Sequence, residues 1–294
     1  MDRALRRTCS TALLSLLAFS ATVYADSYQT TTRFDTFDGV CDEDCSLRDA
    51  VAASNAHPGP DVILLQYPPQ ESGLHVLSLT GPDEDFGATG DLDIAAGAEL
   101  TIVGAGANPT VIDGFGSFGN DRVFDVRGSL TLVDVIVRNG APFGSGGAIR
   151  NGGRLTLIHC EVTGSRARGF GFGGGIYSDG VDSELTLRHS VVFGNRAEGG
   201  GGGIAVGGRL DMVDAILRGN ASLQDFGGGA YLFSEARADF TNVDFLSNRA
   251  AIAGGGIYLE PPLFPDSRTF RNVTFEGNSA PVGPDCGGVG CPES

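Results

Sequence analysis

The sequence predicts an all-β fold in which parallel coils stack as a single-stranded β-helix, or solenoid. Three observations predict it. A Gly-rich phrase recurs at near-constant spacing, a second phrase alternates with it, and Gly makes up 46 of the 294 residues. That content is about twice ordinary usage without collagen's three-residue period, so it marks turns at regular intervals.

The first phrase reads Gly146-Gly147-Ala148-Ile149, Gly173-Gly174-Gly175-Ile176, Gly201-Gly202-Gly203-Ile204, Gly227-Gly228-Gly229-Ala230 and Gly254-Gly255-Gly256-Ile257. Its last residue moves by 27, 28, 26 and 27 positions. The second phrase is fullest at Phe240, Val243, Phe245 and Asn248, and at Phe270, Val273, Phe275 and Asn278. It returns from Met212, Leu187, Leu157 and Leu132. Apolar residues at offsets 0, 3 and 5 fit no helix stripe, and only the last two alternate as in a strand. A bend between two short strands removes the mismatch. The offset-2 residues Gly104, Asp134, His159, His189, Asp214, Asn242 and Asn272 are all types that accept positive φ.

A coil of 25–30 residues is too thin to bury its own apolar face, so coils stack, as parallel strands at ~4.8 Å spacing. About nine coils over residues 62–280 give a rod of about 40 Å. Stacking aligns Val135, Cys160, Ser190, Ala215, Val243 and Val273, which makes Cys160 a core residue. It also aligns Asn195, Asn220, Asn248 and Asn278 as a structural amide ladder. Of these only Asn220 starts a glycosylation sequon. His159 and His189 share one ladder position and read as turn formers.

Residues 1–25 read as a secretory signal peptide: Arg3, Arg6 and Arg7, an apolar run from Ala12 to Phe19, then Val23-Tyr24-Ala25. The apolar run is shorter than the ~20 residues a spanning helix needs, so no transmembrane segment is expected in the mature chain. Residues 26–61 form an N-terminal cap. Within it Ser46 and Asp49 predict a capping box for a short helix, with Leu47, Ala50 and Val51 on its apolar face. The tail, 281–294, carries Cys286 and Cys291, while Cys41 and Cys45 lie in the cap. Four Cys allow three pairings, of which the two local ones are simplest if the ends are far apart. A zinc site at Cys41 and Cys45 is the functional alternative.

Asp38-Gly39-Val40-Cys41, Cys45-Ser46-Leu47-Arg48-Asp49-Ala50-Val51 and Pro58-Gly59-Pro60-Asp61-Val62-Ile63 resemble the N-terminal motif of CSLREA-domain proteins, with Asp49 in place of the motif's Glu. Further matches run through Gly90-Asp91-Leu92-Asp93-Ile94, Val111-Ile112-Asp113-Gly114 and Asp121-Arg122-Val123-Phe124-Asp125-Val126. The Gly-Gly-x-Ile and Phe-x-x-Asn phrases are similar to the repeats of polymorphic outer-membrane proteins. The resemblance covers about residues 37–286 and implies a right-handed, pectate-lyase-like parallel β-helix, exported to the bacterial surface or medium, with adhesion as its role. Right-handed crossover agrees with the general rule for parallel strands. The chain departs from many such proteins in stopping at Ser294 with no membrane barrel.

Function is less legible. A net charge of −16, with 20 basic residues that are all Arg, disfavours nucleic acid as a partner. A non-catalytic binding, adhesin-like or scaffolding module is expected, and its rival is a polysaccharide lyase or glycoside hydrolase acting on an acidic glycan. Hydrolysis needs two facing carboxylates, and polygalacturonase-like signatures are absent from the sequence. The densest acidic stretch, Asp83-Glu84-Asp85 followed by Asp91 and Asp93, reads as a solvated loop with at most weak Ca²⁺ binding. No catalytic residue, metal centre or cofactor is assigned. Outward residues after the Gly phrases are Arg150, Tyr177, Ala205, Tyr231 and Tyr258. Tyr177, Tyr231 and Tyr258 are a candidate strip for a surface glycan or a host or neighbour-cell protein, and Phe143, Phe170, Phe172 and Phe226 could extend it. Stacked Tyr rings that only stabilise the exterior are the structural alternative.

Overall fold

The computed structural model describes residues 25–65, 73–81, 87–106, 109–116, 121–264 and 267–292. The expected leader, apart from Ala25, and Asp83, Glu84 and Asp85 lie outside the described residues. The chain winds as a parallel β-helix of the right-handed class, with about seven turns and, among the described residues, one helix.

Each coil carries three faces. The short face stacks eight three-residue strands: Leu92–Ile94, Phe124–Val126, Ile149–Asn151, Ile176–Ser178, Ile204–Val206, Ala230–Leu232, Ile257–Leu259 and Cys286–Gly288. The bent face holds two strands per coil, such as Arg154–Ile158 and Glu161–Thr163. In later coils these merge into Arg209–Arg218, Arg237–Leu246 and Arg268–Glu276. The third face is a ladder of two-residue strands, Arg166–Ala167, Arg196–Ala197, Ala221–Ser222 and Arg249–Ala250.

Register aligns like with like. Ile63, Ile102, Leu132, Leu157, Leu187, Met212, Phe240 and Phe270 form one inward column. Phe270 lies on Phe240 with ring centroids 4.9 Å apart, and Phe275 lies on Phe245 at 5.0 Å. Such a column removes apolar surface from water on both sides of every coil, which no single coil achieves alone.

The bend between the two strands is a left-handed residue. Asp134, His159, His189, Asp214, Asn242 and Asn272 have φ between 50° and 56°. Gly104 is the exception. Its φ is not positive, and a Cβ there would lie 2.2 Å from the Asp134 carbonyl, so close approach rather than handedness selects Gly. At the short-face corner the phrase needs Gly twice, for different reasons. Gly201 has φ +70°, while a Cβ on Gly202 would meet the Gly228 carbonyl at 2.4 Å.

The Asn ladder closes the other corner. Asn220 Oδ1 accepts from the Asn195 backbone N at 3.0 Å, and Asn220 Nδ2 donates to the Val192 carbonyl at 2.9 Å. Asn248 repeats this toward Asn220 and the Leu217 carbonyl, and Asn278 toward Asn248 and the Phe245 carbonyl. Asn195, Asn220 and Asn248 are buried, so the Asn220 sequon is closed to a glycan. Cys160 is a buried free thiol in the aligned core column, and burial pushes its pKa up to about 11.

The coil count corrects the expectation of nine. Pro60 pairs with Glu99, a step of 39 residues, whereas Ser129 pairs with Arg154, a step of 25. The first coil therefore takes more chain than the 25–30-residue period allots to one coil. The solenoid also runs past residue 280, because Cys286–Gly288 pairs with Ile257–Leu259.

At the other end the helix α1 (Leu47–Ala56) packs against Pro60–Leu64 and Leu92–Ile94. Ser46 Oγ accepts from the Asp49 N at 3.0 Å, and Asp49 Oδ2 accepts from the Ser46 N at 3.3 Å, completing the capping box. Cys41–Cys45 and Cys286–Cys291 are disulfides, which corrects the zinc alternative, since both sulfurs of the first pair are used.

Candidate functional site

Alternation in the short-face strands turns the middle residue of each outward. The register stacks these as Asp93, Asp125, Arg150, Tyr177, Ala205, Tyr231, Tyr258 and Gly287. The column thus changes along the rod from ionic to aromatic.

In the aromatic half, Tyr231 and Tyr258 stack with centroids 5.4 Å apart and planes at 29°. Ala205 leaves room between Tyr177 and Tyr231, and Phe172 and Phe233 fill it. Phe233 lies 4.8 Å from Tyr231 and 6.4 Å from Tyr177, and Phe172 lies 5.5 Å from Tyr231. Phe226 stacks on Tyr258 at 4.4 Å. Tyr177, Tyr231 and Tyr258 are therefore one cluster, with two of the four suggested loop rings joined to it. Tyr231 is only 6% exposed, while Tyr177 and Tyr258 are half-buried. Phe233 is the member the sequence reading missed, although it keeps the outward parity of Tyr231 two residues earlier.

Carboxylates edge this cluster. The Tyr177 hydroxyl donates to Asp179 Oδ1 at 3.2 Å, and the Tyr231 hydroxyl donates to Glu260. Burial, then the Asp179 charge, pushes the Tyr177 phenol up to about 12. Burial and the bond to Glu260 raise Tyr231 as well, so both phenols remain protonated donors at neutral pH. Burial also raises Asp225.

Beside the cluster runs an apolar corner. The loops that lead toward the short face project Phe115, Phe143, Phe170, Leu223, Ile252 and Val282 into solvent, with Phe143 83% and Phe170 72% exposed. These loops are bonded coil to coil: the Leu223 N donates to the Ala197 carbonyl and the Val282 N to the Ile252 carbonyl. The positions are thus held by backbone, not by the apolar side chains.

The ionic half contradicts one expectation. Asp91 and Asp93 are buried, not solvated. Arg122 Nη1 lies 3.0 Å from Asp91 and 3.4 Å from Asp125, and Arg127 lies 3.1 Å from Asp93. These cations offset the burial of the carboxylates, but at Asp91 only in part. Burial first, and then the Asp121 charge, push Asp91 up to about 8. A carboxyl so perturbed is a candidate acid in an open cleft. Asp91 is 1% exposed, out of reach of a polysaccharide, so its role is internal.

Arg48 of α1, another residue the sequence reading did not single out, is also buried. It pairs with Asp35 at 2.7 Å and donates to the carbonyls of Gly87, Gly90 and Asp91 at 2.8, 2.8 and 3.1 Å. This clamps the cap to the first coil.

A third exterior column lies at the left-handed bend of the bent face. His159 and His189 have ring centroids 5.1 Å apart, with Asp134 and Asp214 on the flanking rungs. Among the described residues, no group of three or more His, Cys, Asp or Glu is arranged to hold a metal ion. Nor, among them, is any helix long and apolar enough to cross a membrane.

No known protein family, curated protein or solved structure matches this chain.

Proposed function

We propose that the chain is an exported, non-catalytic β-helix of the bacterial surface or extracellular space, and that it binds a partner along the aromatic cluster and apolar corner. The observation that carries this is the recurrence of exposed apolar side chains in the loops leading to the short face. They occur on every coil from Phe115 onward but the one whose loop is Glu198 followed by five Gly. Core packing does not demand them, since the corner is held by backbone hydrogen bonds. Exposed apolar side chains beside half-buried Tyr rings are the kind of surface that proteins and neutral glycans bind. An acidic glycan is disfavoured, because the chain's net charge of −16 repels it.

Export rests on the basic and apolar leader pattern and on two disulfides, which persist in oxidising compartments. Adhesion, as the biological setting, rests on the resemblance to CSLREA-domain and polymorphic outer-membrane proteins.

The test is a glycan array and a cell-binding assay on the wild type, Phe143→Ser with Phe170→Ser, and Tyr258→Ala, with circular dichroism as the control for fold. Binding that falls in both variants while the fold persists supports the reading. Unchanged binding overturns the assigned surface. Release of unsaturated uronides from pectin or alginate overturns the non-catalytic reading.

A further inference from the structure

The bend column reads Asp134, His159, His189, Asp214, Asn242, Asn272, one residue per coil. A left-handed bend requires only a residue that tolerates positive φ, which Asn242 and Asn272 supply. Their side chains form a short amide ladder, Asn272 Nδ2 to Asn242 Oδ1 at 2.9 Å and Asn242 Nδ2 to Asp214 Oδ1 at 2.8 Å. Nothing in the turn calls for two imidazoles on adjacent rungs with a carboxylate beyond each.

We propose that His159 and His189 bind one divalent cation of borderline softness, of the class Zn²⁺, Cu²⁺ or Ni²⁺. The rings are tilted by 30° at 5.1 Å between centroids, and their side chains are 57% and 54% exposed. At that exposure, a change of side-chain torsion at each would bring one nitrogen of both within the ~2.0–2.1 Å of a metal–imidazole bond. His159 Nδ1 lies 3.6 Å from Asp134 Oδ1, and His189 Nδ1 lies 3.5 Å from Asp214 Oδ2. Carboxylates on that side favour a proton on Nδ1 and leave each Nε2 lone pair for the ion, the arrangement that accompanies metal-bound imidazoles. The two Asp charges also offset the ion's charge without serving as ligands. Imidazole selects borderline ions over Ca²⁺ or Mg²⁺, which prefer all-oxygen sites. Glu161 lines the same groove as both rings. The ion therefore ties two successive coils together on the outside of the rod.

The competing imidazole is His57, whose ring nitrogens lie 3.0 Å from Asp61 and 3.4 Å from Asp26. His→Asn is the matched variant in the bend column, because Asn already occupies that conformation at two rungs. The experiment titrates the full chain with Zn²⁺ and Ni²⁺ by calorimetry, with Ca²⁺ as the hard-ion control. Thermal unfolding of each variant is followed with and without Zn²⁺. The expected result is one saturable Zn²⁺ or Ni²⁺ per chain in the wild type and in His57→Asn. That binding is lost in His159→Asn and in His189→Asn, and Asp134→Asn with Asp214→Asn weakens it about 10- to 100-fold. The ion raises the unfolding midpoint of the wild type and leaves that of His189→Asn unchanged. The proposal is overturned by an absence of saturable binding in the wild type, by binding that survives His189→Asn, or by binding lost only in His57→Asn.

Discussion

Replacing Asn220 by Ala tests the amide ladder where it is most enclosed. The side chain receives the Asn195 backbone N–H at 3.0 Å and the Asn195 Nδ2 at 3.2 Å on its oxygen. Its own Nδ2 serves the Val192 carbonyl at 2.9 Å and Asn248 Oδ1 at 3.1 Å. Ala deletes all four contacts. The Asn195 N–H then has no acceptor at a site closed to water, and the Val192 carbonyl loses this donor. Two buried polar groups at about 1–3 kcal/mol each give an expected loss of about 4 kcal/mol. Asn278→Ala, at the half-buried end of the ladder, is the internal comparison. Its oxygen still accepts from Asn248, but water can replace it, so the expected loss is about 1 kcal/mol. Urea unfolding gives both values from the shift in midpoint at unchanged slope. A loss under about 1 kcal/mol for Asn220→Ala, or equal losses at the two positions, refutes the assignment of the ladder as a buried structural device.

Two further outcomes follow from buried charges. Arg48→Met leaves Asp35 without its cation and three carbonyls of the first coil without a donor; removing one partner of a buried pair costs about 3–5 kcal/mol. Hydrogen exchange should accelerate across residues 26–61 while the ladder coils stay protected, and Arg48→Met with Asp35→Asn should recover part of the loss; uniform acceleration along the rod contradicts the clamp. Asp91 has its folded pKa raised to about 8 by burial, so the folded state holds a proton that the unfolded chain releases near the ordinary Asp value. That contribution to stability is fully present below the unfolded pKa of 3.8 and is lost as pH rises from there through about 8. Asp91→Asn should therefore flatten the stability–pH curve across that interval and leave it unchanged above it. An unchanged curve in the variant shows that Asp91 ionises normally in the fold.

The parts of this structure that the sequence made legible are those that each coil repeats for itself. Apolar residues at offsets 0, 3 and 5 located the inward columns, and the small polar set at offset 2 located the bend, because a left-handed backbone restricts residue type wherever it occurs. Ser46 and Asp49 announced the helix start for the same reason, being local partners three residues apart. Asn195, Asn220 and Asn248 were readable as a stack because each satisfies an equivalent carbonyl of the preceding coil.

What stayed hidden depends on which non-equivalent residues the winding brings together. Arg48 meets the Asp91 carbonyl across 43 positions, a step that matches no repeat period. Arg122 reaches Asp91 across 31, one residue short of the 32-residue step from Leu92 to Phe124, which no repeated phrase marks. An acidic stretch among Gly and Pro reads as solvated until those arginines are placed beside it. The length of the first coil is hidden in the same way, since no phrase marks its end. The aromatic cluster lies between these cases. Its Tyr residues follow the repeat, whereas Phe172 and Phe233 meet only because Gly200 and Ala205 are small on the intervening coil. A Cβ on Gly200 would lie 2.7 Å from the Tyr231 ring and 3.0 Å from that of Phe172. Gly200→Ala should therefore push the rings apart without touching the core columns. If the cluster is the binding surface, that one methyl group should weaken ligand binding while costing no more than about 1 kcal/mol of stability by urea unfolding, the low end of overpacking costs. If the rings only brace the exterior, stability should fall and binding should follow it in proportion.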